Sequence, residues 1–199
     1  MMKKNIAGIV LAAGGSTRMG QKNKLILHVN GMSIISSTVG AAVESSLDPV
    51  RVVLGNDSNT VKRELINYPV SFSHNNNGME GMATSIVSGM ENLDSDGIMF
   101  ILGDMPFISS KIINQLVQQF DSNKIIVPFN NGKRGNPVIF PSHLFSELKK
   151  ISGDRGAKPL IQKYPNVPVL YNILGVSQSS RKMFKEAIIN FEKAKKLDP

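Results

Sequence analysis

The chain has 199 residues, 41% of them hydrophobic and 19% charged, with a formal net charge of +8. That balance suits a globular protein able to bury a substantial core, and the absence of cysteine excludes disulfides, thiolate metal sites and a cysteine nucleophile. The positive charge favours an acidic partner, but with 3 tyrosines and no tryptophan there is no basic–aromatic interleaving, so nucleic acid is not expected, and no apolar run reaches the roughly 18 residues that span a membrane.

The N-terminal stretch Met1–Ala13 joins lysines to a short apolar run and imitates a secretory leader. The run is short, and a small-residue motif continues through any cleavage point. A buried first strand, Ile6–Leu11, and a cytoplasmic protein are therefore expected. A helix over Ser33–Ser45 follows, entered from the turn Asn30–Gly31. The β-branched Val50–Leu54 reads as a strand, Thr60–Ile66 as a helix, Val70–Ser73 as a strand and Met82–Met90 as a helix. Ile98–Leu102 is apolar throughout, the pattern of a central strand covered on both faces. Ser109 can cap a helix running to about Phe120. Strands are expected at Ile125–Phe129 and Pro137–Phe140, then a helix from Pro141–Ser142 through Lys150. A short helix at Ala157–Lys163, a strand at Val167–Tyr171 and a last helix at Ser180–Leu197 complete the chain. The alternation predicts an α/β three-layer sandwich on a mostly parallel sheet. The 179–199 segment has weak tetratricopeptide-like character, but one helix cannot stack as a solenoid, so an amphipathic terminal helix is the reading.

In a parallel sheet, ligands bind beyond the carboxyl ends of the strands. Polar turns fall at those ends. The first runs from Leu11 through Ala12, Ala13, Gly14, Gly15 and Ser16. Its small residues let the backbone approach a ligand, and its successive N–H groups can form an anion nest. Arg18 adds a bidentate fork for phosphate and Lys24 a mobile point charge. Neither the P-loop nor the dinucleotide-binding glycine pattern is present. The second turn, Gly103–Phe107, carries Asp104 directly after an apolar strand, where a carboxylate can ligate Mg²⁺ or shape the turn. The third spans His74–Ile86 and places Gly81 and Ser85 at a helix start. His74 has no nucleophile or orienting carboxylate in sequence and reads as a strand-end histidine. Further on, Asn136–Pro137 make a constrained turn, and Asp154 and Gly156 precede a short helix that Asp154 could cap.

Taken in order, LAAGGSTRMGQKNKL, HNNNGMEGMATSI, GDMPF, GNPVIF and SGDRGAKPLI resemble the MobA-like nucleotidyltransferase family from roughly Asn5 to Tyr171. One such segment would be weak; the ordered set is specific. LAAG, GDMP, GNP and GDRGA lean toward the molybdenum cofactor cytidylyltransferase branch. The resemblance implies one nucleotidyltransferase domain over residues 1–199 with a Rossmann-like, glycosyltransferase-A-like fold. It also implies transfer of CMP from CTP to molybdopterin, with release of pyrophosphate. Under it, Ala12, Ala13 and Gly14 meet base and ribose, Gly15, Ser16 and Arg18 meet the phosphates, and Lys24 lies near the α-phosphate. Gly81 and Ser85 contact the nucleoside, Asp104 holds Mg²⁺ (or Mn²⁺), and Asn136, Pro137, Asp154 and Gly156 face the pterin. A molybdenum hydroxylase or its chaperone is the implied protein partner. The family's second metal-ligating Asp, expected after the last strand, is replaced by Gly175 and Ser177. Two enzymatic alternatives stand beside the cytidylyltransferase, a GTP-dependent guanylyltransferase and transfer to another phosphate, and the missing carboxylates motivate a third, a non-catalytic nucleotide- or cofactor-binding accessory.

Overall fold

A computed structural model describes residues 4–14, 23–55, 57–130, 133–164 and 169–170. The first strand, β1 (Ile6–Ala12), is buried along almost its whole length. It pairs in parallel with β4 (Val50–Leu54) on one side and β6 (Gly97–Leu102) on the other. β5 (Ser71–His74) extends the sheet beyond β4 in parallel, and β9 (Val138–Pro141) closes the opposite edge antiparallel to β6. The spatial order is β5-β4-β1-β6-β9.

Strand periodicity explains the layers. Ile6, Val10 and Ala12 face one way, with Val52, Leu54, Met99 and Ile101. They pack against α1 (Ile34–Val43), α2 (Ser58–Glu64) and α4 (Ser110–Gln118) through Ile35, Val39, Val61, Ile113 and Leu116. Ala7 and Ile9 face the other way, with Val53, Ile98 and Phe100. Their partners are α3 (Met82–Gly89), α5 (Phe145–Leu148) and α6 (Lys158–Lys163), through Ile86, Leu148, Leu160 and Ile161. The expected three-layer α/β sandwich is thus present, with Ile98–Leu102 in its centre. Phe100 and Phe140 meet edge-to-face across β6 and β9, their centroids 5.9 Å apart. Among the described residues, no helix is long and apolar enough to cross a membrane.

Several elements differ from expectation for local reasons. A small antiparallel hairpin, β2 (His28–Val29) and β3 (Met32–Ser33), precedes α1. Its turn residues Asn30 and Gly31 both take positive φ, 52° and 82°, the backbone a two-residue hairpin demands. Ser33 then caps α1 by accepting from the Ser36 N–H. The helix expected through Lys150 is a 3-10 turn, Ser142–Leu144, followed by the single turn of α5. Ser109 caps α4 as expected. The strand expected at Ile125–Phe129 splits its allegiance: Ile126 bridges Ile139, while β7 (Val127–Asn130) joins a second sheet with β8 (Lys133–Arg134) and β10 (Val169–Leu170). The Lys163 ammonium and the Tyr164 hydroxyl both donate to Glu147, at 2.7 and 2.6 Å, tying α6 to α5. Those two bonds hold the Glu147 carboxyl below its usual range. The expected terminal helix Ser180–Leu197 and the Gly175 and Ser177 positions lie outside the described residues.

Candidate functional site

From β1 the chain builds outward through β4 and β5, then returns to place β6 on the other side of β1. Connections that diverge in this way leave a crevice at the carboxyl ends of the two central strands. Leu11 and Ala12 end β1 there, and Leu102 ends β6 beside Leu11. The Gly103 N–H donates to the Leu11 carbonyl at 2.9 Å, so Asp104 emerges next to the first turn. Ala12 and Ala13 are buried and Gly14 is exposed. Gly55, after β4, lies so close to the first turn that a Cβ on it would stand 2.6 Å from the Ala13 carbonyl oxygen. Gly78, after β5, approaches the same oxygen. Turns from three strands therefore converge on Ala13. Gly15, Ser16 and Arg18 lie outside the described residues.

Lys24 enters the crevice from a 3-10 turn, Lys24–Ile26, whose cap Asn23 accepts from the Leu25 N–H and donates to Asp57. The Lys24 Nζ sits 2.6 Å from Asp104 Oδ2, with the two side chains 43% and 38% exposed. The cation expected on phosphate and the carboxylate expected on metal are thus direct neighbours. A pair this exposed contributes at most about 1 kcal/mol, so phosphate and a divalent cation can exchange into it. Among the described residues no cluster of three His, Cys, Asp or Glu side chains could hold a metal ion. Among the described residues, the carboxylate placed directly beside the first turn is that of Asp104. It fits a hard ion such as Mg²⁺, which keeps several waters and takes its remaining ligands from bound phosphates.

The His74–Ile86 segment is organised by Asn75, which is 5% exposed. Its Nδ2 donates to Thr84 Oγ1 and Ser85 Oγ, both at 2.9 Å, and its Oδ1 accepts from the Asn77 N–H at 3.0 Å. Ser85 is buried, with its oxygen serving the loop as an acceptor. Gly81 has φ +111°, and a Cβ on it would come within 2.5 Å of Asp154 Oδ1 and the Gly153 carbonyl carbon. The Ala83 N–H donates to the Gly153 carbonyl at 3.2 Å, and Gly156 packs against Met82. Gly81, Ser85, Asp154 and Gly156 thus belong to one wall. His74 ends β5, its carbonyl accepting from Ser88. Asn75→Ala removes three hydrogen bonds, one of them to the buried Ser85 hydroxyl. It should cost about 1–3 kcal/mol, read as a lower urea midpoint at unchanged m-value.

Asn136 and Pro137 lie elsewhere. They and Asp104 line a cleft of about 290 Å³ whose other walls are Met105, Pro106, Phe107, Ile108, Ile112, Leu116 and Pro128. The four residues assigned to the pterin side therefore divide between this cleft and the Gly81 wall. Sequence reasoning missed the α4 wall, because Ile112 and Leu116 carry only the ordinary spacing of a core-facing helix. It also missed Asn75, whose neighbours Asn76 and Asn77 make the run look like turn chemistry.

A family model described as a MobA-like NTP transferase domain matches residues 8–167. The purine catabolism protein PucB of Bacillus subtilis (strain 168) is 32% identical over 174 residues, 81% of this chain and 83% of the relative. A probable molybdenum cofactor guanylyltransferase of Bacillus cytotoxicus is 34% identical over 141 residues, 70% of this chain and 69% of that protein. The crystal structure of Rv0371c from Mycobacterium tuberculosis H37Rv superimposes with a TM-score of 0.74 at 24% identity, covering 84% of this chain and 87% of that one. The last likeness shows the shared fold.

Proposed function

We infer that this chain, which belongs to the MobA-like NTP transferase family, transfers CMP from CTP to the terminal phosphate of molybdopterin and releases pyrophosphate. The observation that carries nucleotidyl transfer is the Lys24–Asp104 pair set at the carboxyl ends of β1 and β6, against a small-residue turn. In the reaction an acceptor phosphate oxygen bonds to the α-phosphorus as the bond to the bridging oxygen of pyrophosphate breaks. The attacking phosphate is already anionic at neutral pH, so the site needs no general base. What it needs is alignment and charge neutralisation.

The residues divide that work. Ala12, Ala13 and Gly14 form the surface for base and ribose, with the Gly81–Ser85 segment opposite. Lys24 exchanges its carboxylate partner for the α-phosphate, and Arg18 serves the outer phosphates. Asp104 would hold a divalent ion, Mg²⁺ or Mn²⁺; manganese is the ion named for a complex of the mycobacterial protein. Such an ion supplies charge neutralisation on the triphosphate. The absence of carboxylates at Gly175 and Ser177 is compatible with this scheme, because water and phosphate oxygens complete the shell of a hard cation.

GTP is the second reading, favoured by the relative named a probable molybdenum cofactor guanylyltransferase. With Mg²⁺ present, CTP at about 100 times its Kd should stabilise the protein by about 2.7 kcal/mol, seen as a rise in Tm of several degrees. GTP should do less. Pyrophosphate release with molybdenum cofactor as acceptor should follow the same preference. A larger shift and faster release with GTP would replace the cytidylyl assignment by the guanylyl one. No shift and no release with either nucleotide would remove nucleotidyl transfer.

A further inference from the structure

Asp104 starts from a backbone that is clamped on both sides of Gly103. The Gly103 N–H donates to the Leu11 carbonyl at 2.9 Å, and the Gly103 carbonyl accepts from the Thr38 hydroxyl at 3.1 Å. That carbonyl lies in the same peptide plane as the Asp104 N–H. Glycine is required at 103, since a Cβ there would stand 2.9 Å from the Leu11 oxygen and 3.2 Å from Ile35 Cδ1. It brings backbone freedom with it, directly before the carboxylate. The Thr38 bond removes that freedom at the point where it would displace Asp104.

Threonine is an unexpected residue at this place on α1. Ile35, Val39 and Ala42 form the core-facing stripe of the helix, and Thr38 lies within that stripe, completely buried. Valine has the same shape and would pack there with no hydroxyl to satisfy. A buried hydroxyl is costly unless it is paired, and this one shares its single proton between the Ile34 carbonyl at 3.0 Å and the Gly103 carbonyl. The Ile34 bond is the ordinary one for a threonine inside a helix, made one turn back along its own chain. The Gly103 bond crosses 65 positions of sequence to another element. It satisfies a buried carbonyl at the very peptide that introduces Asp104. A ligand for a small hard cation has to be held to within about 0.5 Å. We propose that Thr38 is a positioning residue for the metal ligand: through the Gly103 carbonyl it fixes the backbone from which the Asp104 carboxylate reaches a divalent ion. The proposal rests on the reading above that Asp104 holds that ion.

The test titrates Mn²⁺ alone into the ¹⁵N-labelled full chain and follows paramagnetic broadening of the Gly103, Asp104 and Met105 amides. Thr38→Val keeps the shape and removes the hydroxyl; Thr38→Ser keeps the hydroxyl and removes the methyl. Thr38→Val should need about tenfold more Mn²⁺ for half-maximal broadening, and Thr38→Ser should stay within about twofold of the unsubstituted chain. Pyrophosphate release should show the same split. Thr38→Val should require more metal, while its KM for CTP at saturating metal moves less than about twofold. Melting curves record the stability of each variant. A lower Tm in Thr38→Val with an unchanged Mn²⁺ titration would overturn the assignment, and so would equal losses in the two variants, which would follow packing and not the hydroxyl. If the unsubstituted chain releases no pyrophosphate while the Mn²⁺ difference stands, nucleotidyl transfer falls and the positioning role survives. If it releases pyrophosphate and Thr38→Val takes up Mn²⁺ as it does, the role of Thr38 alone falls. Broadening centred away from Asp104 would remove the metal assignment and the Thr38 role together.

Discussion

Asp104→Ala should lower pyrophosphate release about a hundredfold or more while leaving the protein folded and able to bind CTP. Asp104 is the proposed metal ligand, no cluster of three His, Cys, Asp or Glu side chains stands elsewhere among the described residues, and removing one charge-stabilising group from a preorganised site typically costs about 10²–10³ in rate. Its structural role is small by comparison. The bond to Lys24 joins two side chains that are each about two-fifths exposed, so its loss should move stability by no more than about 1 kcal/mol. Stopped-assay pyrophosphate measurement, paired with a melting curve, separates the two effects. Asp104→Asn sharpens the experiment, because it keeps the shape and one hydrogen-bond acceptor but removes the charge. Activity surviving in both variants would move the metal ligand to another residue.

Gly81→Ala should be the most destabilising single substitution near the site. Two independent costs add there. An alanine held at φ +111° is strained by about 1–3 kcal/mol, and its methyl would be driven into the Gly153 backbone and the Asp154 carboxylate at 2.5 Å. Overpacking of that kind costs a further 1–3 kcal/mol or so. A total of about 3 kcal/mol corresponds to a fall in Tm of roughly 6–12 °C for a chain of this size. Gly153→Ala is the control. Its φ is +76°, but no atom lies within 4 Å of the added Cβ, so only the backbone strain of about 1–2 kcal/mol remains. The relief available to Gly81→Ala is separation of the two packed segments. CTP stabilisation should therefore weaken in this variant and persist in the control. Equal losses for the two substitutions would mean that the wall yields at little cost.

The parts of the molecule legible in its sequence are those whose physics is local. The strand at Ile6–Leu11 announces itself by continuous apolarity, because a central parallel strand must be buried on both faces. Ser109 is readable as a cap because its hydroxyl acts within its own turn. Asp104 is legible because it directly follows the apolar run of β6. What could not be read depends on residues brought together from afar. Lys24 and Asp104 are 80 positions apart, and nothing in either segment says that they touch. The same holds for Gly81 against Asp154, where a glycine that looks like a helix entry is also a packing surface. Pro128 and Ile112 line one cleft only because β7 leaves the main sheet after the Ile126 bridge and passes near α4. Helix length was overestimated after Pro141, where an extended proline and a 3-10 turn absorb residues that an amphipathic pattern alone assigns to a helix.

The reversal of the last strand in the main sheet has an evolutionary consequence. Val138 opposes Phe100 and Pro141 opposes Gly97, so β9 runs against its neighbour and its starting end, not its finish, reaches the crevice. The loop carrying Asn136 and Pro137 therefore arrives from a direction opposite to the turns after β1, β4 and β5. On the proposed assignment, the first hundred or so residues keep a constant triphosphate while the segment after Asp104 drifts to suit a new recipient. Recombination after Asp104 and again after Pro141 would exchange the cleft that carries Asn136 and Pro137 without cutting any strand of the sheet. A scaffold built this way can be inherited as a nucleotide handler and re-specialised by replacing a single contiguous stretch.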